Sequence, residues 1–387
     1  MTERERYYNT MHYLPVDHVP DHEFGWWDET ITNWHDQGLP KEITDNEKGD
    51  FYFGFETMHG IGGNTGLYPS YESKVLEKKD NHQIVQAGDG VIYMESTDGS
   101  SSIPKYLKFP IENREDWEEF KERLNPDDPI RVIPNVQELV DRANAQDKTV
   151  TLNTGSLFGW IRNWMSFEGL AMMTIDDPDL VEEIVEHLTI LILSQNEPFL
   201  KAGLKFENAH FWEDIAFRNG PMVSPAFFDR IVIPRYKRIC DRYREAGCDV
   251  VSLDCDGNVL PLTKLWVGSG VNGMFPIEIR GGSDPHEMRR MCGKDVLLLG
   301  GVDKIALIEG KATTLAYLKS LEPLLKQGGF IPFVDHRVPP DVEMDTYLYY
   351  LREKRAMLEI PEPASYEDRL ADLWKTDPDR AAQFKKL

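Results

Sequence analysis

The chain has 387 residues and carries 66 Asp and Glu against 43 Lys and Arg, which gives a formal net charge of -23. This excess of acid excludes the basic surface that nucleic acid requires, and it disfavours docking on anionic lipid. Hydrophobic residues make up 41% of the chain, enough for a sizeable core in two or three domains or in one large barrel.

Cysteine usage and the N-terminal segment predict a cytoplasmic protein. The cysteines Cys240, Cys248, Cys255 and Cys292 form no C-x-x-C pair and are too sparse for a disulfide framework. The segment MTERERYYNTMHYLP lacks the apolar core of a signal peptide. We therefore expect a protein of a reducing compartment that contacts neither nucleic acid nor a membrane.

The first part of the chain predicts additions to a larger fold. In the N-terminal segment 3–66, residues 3–12 and 28–36 have helical patterns, and two strands are possible within 18–66. Residues 71–110 contain alternating apolar and polar side chains broken by KDNH and GDG, which predicts an inserted antiparallel β-meander.

From residue 149 onward, short β-branched runs alternate with long amphipathic stretches. The predicted strands are 149–153, 204–209, 249–253, 271–275, 296–299 and 330–334. The predicted helices lie near 178–201, 225–246, 285–292, 312–326 and 342–357. Such strand–helix repetition predicts a parallel sheet, and these six strands with the two before them sum to the eight of a (β/α)8 barrel.

We therefore predict an α/β fold: a (β/α)8 TIM barrel with an N-terminal helical extension and an inserted antiparallel β-meander. The whole chain, 1–387, is predicted to form a single domain. Its main run of β/α units spans 149–358, and the charged C-terminal tail 359–387 is predicted to be a helix packed outside the barrel.

Acidic residues follow five successive predicted strands, at the end of the barrel where active sites lie. The candidate site residues at these strand ends are His210, Trp212, Glu213, Asp214, Asp254, Asp256, Glu278, Asp303, Asp335 and His336. The sequence contains no G-x-x-x-x-G-K-[ST], H-E-x-x-H or G-x-S-x-G motif, so the signatures of a P-loop, a zinc protease and a serine hydrolase are absent.

The strand VVSLDCD is the most informative of these segments. Side chains alternate along a strand, so Asp254 and Asp256 share the face that points into the barrel. The opposite face is apolar and suits packing under the helices; it carries Val251, Leu253 and Cys255. Two carboxylates on one inward face repel each other unless a metal ion, a shared proton or an Arg neutralises them. A turn role is the competing interpretation for both residues.

The other candidates also have structural interpretations. His336 follows an apolar strand and is either a site residue or a neutral histidine bonded to the loop backbone. His210 and Trp212 lie in an aromatic stretch and are either half-buried core residues or part of a pocket. Glu278 is either a functional acid or the ion-pair partner of Arg280.

Several segments together resemble the uroporphyrinogen decarboxylase superfamily, over roughly residues 3–358. The segments that carry the likeness are RERYYNTMHYLPVDHVP, FPIENREDWEEFKERLNP, FWEDIAFRNGPMVSPAFFDRIVIPRY, LDCDGN, GGVDK and GGFIPFVDHRVPPDV. Within that superfamily the chain resembles the methyltransferase-like branch. The arginine-rich N-terminal segment of the true decarboxylases has no match in HVPDHEFGWWDET.

The resemblance implies a barrel whose mouth holds zinc and which moves methyl groups between a small substrate and the corrinoid of a partner protein. In relatives that act on coenzyme M, an H-x-C motif and a later Cys mark the site. Here Asp254 stands in the His place, Asp256 in the first Cys place and His336 in the second Cys place. Glu213 stands where a carboxylate ligand is expected. This set lacks thiolate, so Mn and Fe become candidates beside zinc.

The harder ligands favour ether or alcohol substrates over thiols, and they predict the methyltransferase component of a corrinoid-dependent O-demethylase. Glu278 or Asp214 is predicted as the general acid, and a homodimer is compatible with the sequence. The predicted substrate-binding residues are His210, Trp212, Asp303 and Asp335. Two alternatives stay open: a metal-free lyase acting on an organic acid, with Asp254 and Asp256 sharing a proton, and a non-catalytic ligand-binding relative.

Overall fold

A computed structural model describes residues 1–98 and 104–384 of the chain. Its strands are β1 (His59–Ile61), β2 (Lys74–Lys79), β3 (His82–Gln86), β4 (Ile92–Ser96), β5 (Lys105–Lys108), β6 (Val150–Gly155), β7 (Asn208–Trp212), β8 (Ala216–Phe217), β9 (Gly220–Pro221), β10 (Val251–Asp254), β11 (Gly273–Phe275), β12 (Leu297–Leu299) and β13 (Phe330–Ile331).

The helices cover the outside of these strands and both ends of the chain. They are α1 (Glu3–Met11), α2 (Asp28–His35), α3 (Asn46–Phe53), α4 (Arg114–Phe120), α5 (Val136–Asn144), α6 (Phe158–Met165), α7 (Phe167–Asp176), α8 (Pro178–Lys201), α9 (Pro225–Ile231), α10 (Ile233–Glu245), α11 (Leu260–Ser269), α12 (Pro285–Cys292), α13 (Lys304–Ile308), α14 (Lys311–Leu325), α15 (Met344–Met357), α16 (Tyr366–Thr376) and α17 (Pro378–Ala381). Within the described residues, no helix combines the length and the apolar character needed to cross a membrane.

The central sheet confirms the predicted parallel barrel. Its strand order among the described residues is β1-β6-β7-β10-β11-β12-β13, and every neighbouring pair is parallel. An extended segment, 20–26, fills the eighth position between β13 and β1. It bonds to the segment after β13 through the Val338 amide, 2.9 Å from the Gly25 carbonyl oxygen, and to the segment before β1 through the Glu56 amide, 3.0 Å from the Asp21 carbonyl oxygen.

The alternation predicted for the strand at 249–253 is also confirmed. Val251, Leu253 and Cys255 belong to the large core that the strands share with the helices. On the other face, Val250 joins a smaller cluster inside the barrel, formed with strand residues and with α1; its other buried members are Tyr7, Met11, Leu297, Leu299, Ile331 and Phe333. Helix α1 therefore closes the barrel at the end where the strands begin.

Most predicted boundaries differ from the structure by a few residues, and two of the differences bear on the argument. The helix predicted over 225–246 is two helices, α9 and α10, because Pro234 near the start of α10 has no amide hydrogen and disrupts the preceding turn. The strand predicted at 204–209 instead runs from Asn208 to Trp212. His210 and Trp212 are consequently strand residues, not loop residues.

The predicted meander is confirmed as a four-stranded antiparallel sheet, β2-β3-β4-β5, although residues 99–103 lie outside the described part of the chain. A cleft of about 730 Å³ separates its Tyr93 and Tyr106 from Phe167 and Phe217 on the barrel side. In the tail, where one helix was predicted, the described residues form two, α16 and α17, and 385–387 lie outside the described residues. That 1–387 forms a single domain stays a prediction.

Candidate functional site

Three carboxylates meet where β7 and β10 end. Asp254 closes β10 and is paired in register with Trp212, the last residue of β7. Asp214 follows β7, and Asp256 follows β10. One carboxylate oxygen from each acid lies within 4.8 Å of the others, and all three side chains are half-buried. The structure thus brings the predicted pair together with Asp214, at the end of the barrel where parallel strands deliver their catalytic groups.

The two strand ends hold this arrangement by bonding to each other. The Asp254 carbonyl oxygen accepts from the Glu213 amide at 2.8 Å and from the Asp214 amide at 3.4 Å. The Asp256 amide in turn donates to Asp214 Oδ1 at 3.0 Å. Asp214 adopts a left-handed backbone with φ 47°, which Asp tolerates better than most residues. This turn directs the Asp214 side chain towards Asp256.

His336 adds an imidazole to the three acids. Its Nε2 lies 3.2 Å from Asp256 Oδ2. The ring stacks on Trp27 with centroids 5.5 Å apart and meets the edge of Phe24 at 5.4 Å. The other oxygen, Asp256 Oδ1, is buried without a hydrogen-bond partner among the described residues. We call Asp214, Asp254, Asp256 and His336 the mouth cluster; it contains an acceptor that no described residue satisfies.

The mouth cluster carries more negative charge than its surroundings neutralise. Burial raises the pKa of Asp254 to about 8, and the neighbouring Asp214 and Asp256 raise it further, while Arg337 opposes the shift. Burial and then Asp256 also raise the pKa of Asp214. Crowded oxygen ligands with one imidazole are a donor set that suits a divalent cation such as zinc, manganese or iron.

The raised pKa of Asp254 predicts a pH-dependent cost to the metal-free fold. In the unfolded chain this carboxyl has its ordinary pKa of 3.8, whereas in the folded chain its pKa is about 8. Folding therefore becomes less favourable as the pH rises between these two values, because the folded state must retain a proton or bury a charge. We expect Asp254→Asn to raise the free energy of unfolding of metal-stripped protein by on the order of 2 kcal/mol at about pH 8.5, and by far less near pH 5.

Urea unfolding of both proteins in the presence of a chelator measures this difference. An equal gain at the two pH values would mean that the substitution acts through packing and not through the charge of Asp254.

Glu213 does not join the mouth cluster. Its side chain is fully buried and faces the start of α6. Its carboxylate accepts from the amides of Leu157, Phe158 and Gly159 at 2.8, 2.8 and 2.6 Å, and from Ser156 Oγ at 3.1 Å. A Cβ at Gly159 would collide with the Glu213 carbonyl oxygen, so this helix start requires glycine. The geometry assigns Glu213 to anchoring α6, where a carboxylate meets unpaired amides.

Glu278 lies close to the mouth cluster but both of its oxygens are engaged. Oε2 accepts from the Gly257 amide at 3.0 Å, directly after Asp256. Oε1 pairs with Lys304 Nζ at 2.8 Å. Lys304, and not Arg280, is therefore its ion-pair partner. This arrangement holds the loop after β10 in place.

Asp303 and Asp335 also support loops at this end of the barrel. Asp303 caps α13 through the Ile305 amide at 2.9 Å, and it pairs with Arg280 Nη2 at 2.8 Å. Asp335 is fully buried and accepts from the amides of Ile279 and Lys304 at 2.8 and 3.0 Å. Burial raises the pKa of Asp335 to about 6. The structure shows both carboxylates bonded within the protein.

His210 and Trp212 face the barrel interior. His210 Nδ1 lies 2.8 Å from Ser252 Oγ, and burial lowers the pKa of this imidazole to about 4, so it is neutral near pH 7. The ring lines an interior cavity of about 390 Å³. Trp212 lies one layer higher, and the Arg162 guanidinium stands 5.5 Å from its ring centroid.

Aromatic rings form the top of this cavity, next to the mouth cluster. Phe275 pairs in register with Asp254 and contacts both His210 and Phe24, with centroids 5.6 and 4.8 Å apart. Phe24 in turn meets His336. A small molecule in the cavity therefore lies one layer of side chains below the four residues of the mouth cluster, within the size range of ligand pockets.

Two arginines at this site were not predicted from the sequence. Arg337 stands 5.6 Å from the Trp27 ring and lowers the pKa of Asp254 through its charge. The charge of Arg162 likewise opposes the rise in the pKa of Asp214. Arg337 follows His336 directly, so the segment DHRVPP carried a signal for it. Arg162 lies on α6, and nothing in the sequence pattern distinguishes it from a surface arginine.

Comparisons with known proteins place this geometry among related folds. The family model described as uroporphyrinogen decarboxylase (URO-D) matches residues 92–353. A sequence search among curated proteins finds no match. Among solved structures, a methyltransferase from Methanosarcina mazei superposes with a TM-score of 0.59, covering 92% of this chain and 99% of that chain at 16% sequence identity. At this low sequence identity, the superposition shows a shared fold and nothing more specific.

Proposed function

The chain belongs to the uroporphyrinogen decarboxylase family, and from that premise we propose that it is a metal-dependent methyltransferase. It transfers a methyl group from a small methoxylated substrate to a corrinoid-binding partner protein, as the O-demethylase component. The observation that carries this proposal is the mouth cluster, where three carboxylates converge within 4.8 Å beside His336. The fold shared with a methyltransferase is in keeping with it.

The donor set fits a resident divalent cation. Asp256 Oδ1 is a buried acceptor without a partner among the described residues, and Asp254 is held near charges of its own sign. Asp254, Asp256 and His336 would hold the ion, with Asp214 beside it. When bound, such an ion supplies Lewis acidity towards an oxygen of the substrate.

The remaining chemistry falls to the chain's own residues. The C–O bond of the methoxy group breaks and its electron pair stays on the oxygen. The methyl group passes as a cation equivalent to the Co(I) of the partner's corrinoid, a substrate here, whose own electron pair forms the new Co–C bond and which becomes methyl-Co(III). The leaving oxygen takes a proton. Asp214 can supply it, because its pKa is raised and only its Oδ1 is engaged by a backbone amide. Phe275 and His210 hold the rest of the substrate in the cavity below.

Metal analysis and a methyl-transfer assay test this function. We expect the purified protein to retain about one divalent ion per chain. With 2-methoxyphenol as donor and free cob(I)alamin as acceptor, we expect a change in the visible absorbance of the cobalamin. Stripping with a chelator should abolish the change, and adding back zinc, manganese or iron should restore it.

The same experiment separates the alternatives. Protein that retains no metal and releases CO2 from an organic acid would be a lyase. Tight ligand binding without turnover, whatever metal or corrinoid is supplied, would indicate a non-catalytic relative. Either outcome would contradict the proposed methyl transfer.

A further inference from the structure

The cavity inside the barrel differs in polarity from one end to the other. It has a volume of about 390 Å³ and reaches from the aromatic layer under the mouth cluster towards α3 and the start of β1. Its upper wall contains Phe275, Phe333 and Leu299. The lower wall contains three acidic residues that were not among the site residues predicted from the sequence: Glu23, Asp50 and Glu56.

Two of these acids retain free acceptor atoms. Glu56 precedes β1 and pairs with Arg6 Nη1 through Oε1 at 2.7 Å, while its Oε2 is buried without a hydrogen-bond partner among residues 1–98 and 104–384. Asp50 lies on α3, and no donor in the described part of the chain hydrogen-bonds to its carboxylate. The nearby Lys148 attracts Asp50 electrostatically, but its ammonium donates to Thr57 Oγ1 at 2.7 Å.

Glu23 serves a structural purpose by contrast. Its Oε1 accepts from the amides of Phe24 and Val334 at 3.0 and 3.1 Å, and its Oε2 accepts from the Tyr347 hydroxyl at 3.2 Å. This carboxylate joins the segment 20–26 to the strand end after β13. It therefore adds negative potential to the cavity but offers no free ligand atom.

A separate side chain independently indicates that a ligand binds at this end. Asn208 in β7 is 2% exposed and lines the cavity, yet its Oδ1 is buried and has no hydrogen-bond partner in the part of the chain that the structure describes. Leaving a buried amide oxygen unbonded is unfavourable unless a ligand or a water molecule bonds to it. Asp50 and Glu56 lie close together in the N-terminal segment, whereas Asn208 comes from a distant strand, and all three residues line the same cavity.

The two ends of the cavity lie towards the two ends of the barrel. Glu56 bonds to Arg6 of α1, the helix that closes the barrel where the strands begin, whereas the mouth cluster lies where the strands end. A molecule that extends its methoxy group towards the mouth cluster therefore presents its other end to the acceptors. That end must carry hydrogen-bond donors, and positive charge suits it best.

We propose, building on the methyl-transfer function above, that the substrate is a methoxylated amine whose protonated nitrogen is held by Asp50, Glu56 and Asn208. Burial raises the pKa of both Asp50 and Glu56 to about 7, so that a bound cation stabilises their charged forms. The aromatic upper wall then accommodates the apolar part of the molecule. The acceptors act as specificity determinants and take no part in the bond breaking.

Matched pairs of probes test the inference on the full-length protein. Isothermal titration in an amine-free buffer near pH 8 compares 3-methoxybenzylamine with 3-methoxybenzyl alcohol, which has nearly the same shape and no charge. We expect the amine to bind at least about tenfold more tightly. Asp50→Asn and Glu56→Gln should each reduce that preference by about tenfold or more while leaving the affinity for the alcohol nearly unchanged.

Asp36→Asn is the matched control, because it removes one negative charge from a residue whose side chain is 90% exposed. It should leave the preference for the amine intact. Equal binding of amine and alcohol by the native protein, or no binding of either, overturns the inference even if a variant fails to fold. Metal content and methyl transfer are measured separately, so amine-selective binding by a protein without metal would refute the proposed function and leave the cavity assignment standing.

Discussion

Replacing Asp256 by alanine is expected to remove the bound divalent metal and to lower methyl transfer by at least about a hundredfold. Asp256 is the central member of the mouth cluster. Its Oδ2 contacts His336, its Oδ1 is buried without a partner among the described residues, and its amide orients Asp214. Atomic emission on dialysed protein gives the metal content, and cobalamin absorbance gives the transfer rate.

The control for this variant lies at the other end of the same strand, β10. Asp249 stands just before β10, at the opposite end of the barrel, where its half-exposed carboxylate pairs with His12 Nε2 at 2.8 Å. Asp249→Ala removes the same charge and should keep both metal and activity. If Asp256→Ala retains metal and transfers methyl groups at the native rate, the mouth cluster is not the site of catalysis.

Replacing Glu213 by alanine is expected to destabilise the protein by about 3–5 kcal/mol. The carboxylate is fully buried and satisfies three backbone amides and one hydroxyl at the start of α6. Without it, those donors are left unbonded in a dry interior, and α6 loses the negative charge at its N-terminus. Guanidinium unfolding followed by tryptophan fluorescence measures the loss.

Two further variants serve as controls for this prediction. Glu119 is exposed on α4, and Glu119→Ala should change the free energy of unfolding by no more than about 0.5 kcal/mol. Glu213→Gln keeps the size of the side chain and should keep the metal, because the native carboxylate faces α6. A Glu213→Gln protein that is stable but loses its metal would restore Glu213 as the ligand that the sequence predicted.

The sequence could not predict which of Glu213 and Asp214 faces the barrel mouth. The two residues are adjacent and chemically alike, so the pattern HFWED predicts that one of them faces the mouth without saying which. The choice depends on the left-handed turn at Asp214 and on its bond from the Asp256 amide. Both features exist only once β7 and β10 lie side by side.

The ion-pair partners of Glu278 and Arg280 could not be predicted from the sequence either. Glu278 is two residues from Arg280, which suggests a local pair, yet Glu278 binds Lys304 and Arg280 binds Asp303. The sequence also contained no pattern that predicts the acidic residues of the cavity. Asp50 and Glu56 lie in an N-terminal segment that predicts only helices and possible strands, and Asn208 comes about 150 positions later. Their common environment arises from barrel closure.

By itself, the sequence determined the order of strands and helices, the end of the barrel that carries the acids, and the inward facing of Asp254. These properties follow from short-range periodicity: side chains alternate on a strand, and parallel strands end at one edge. Only the tertiary structure decided which acids converge, which are already bonded to loops, and what lines the cavity beneath them. Those outcomes depend on distances between residues far apart in the chain, which local patterns do not encode.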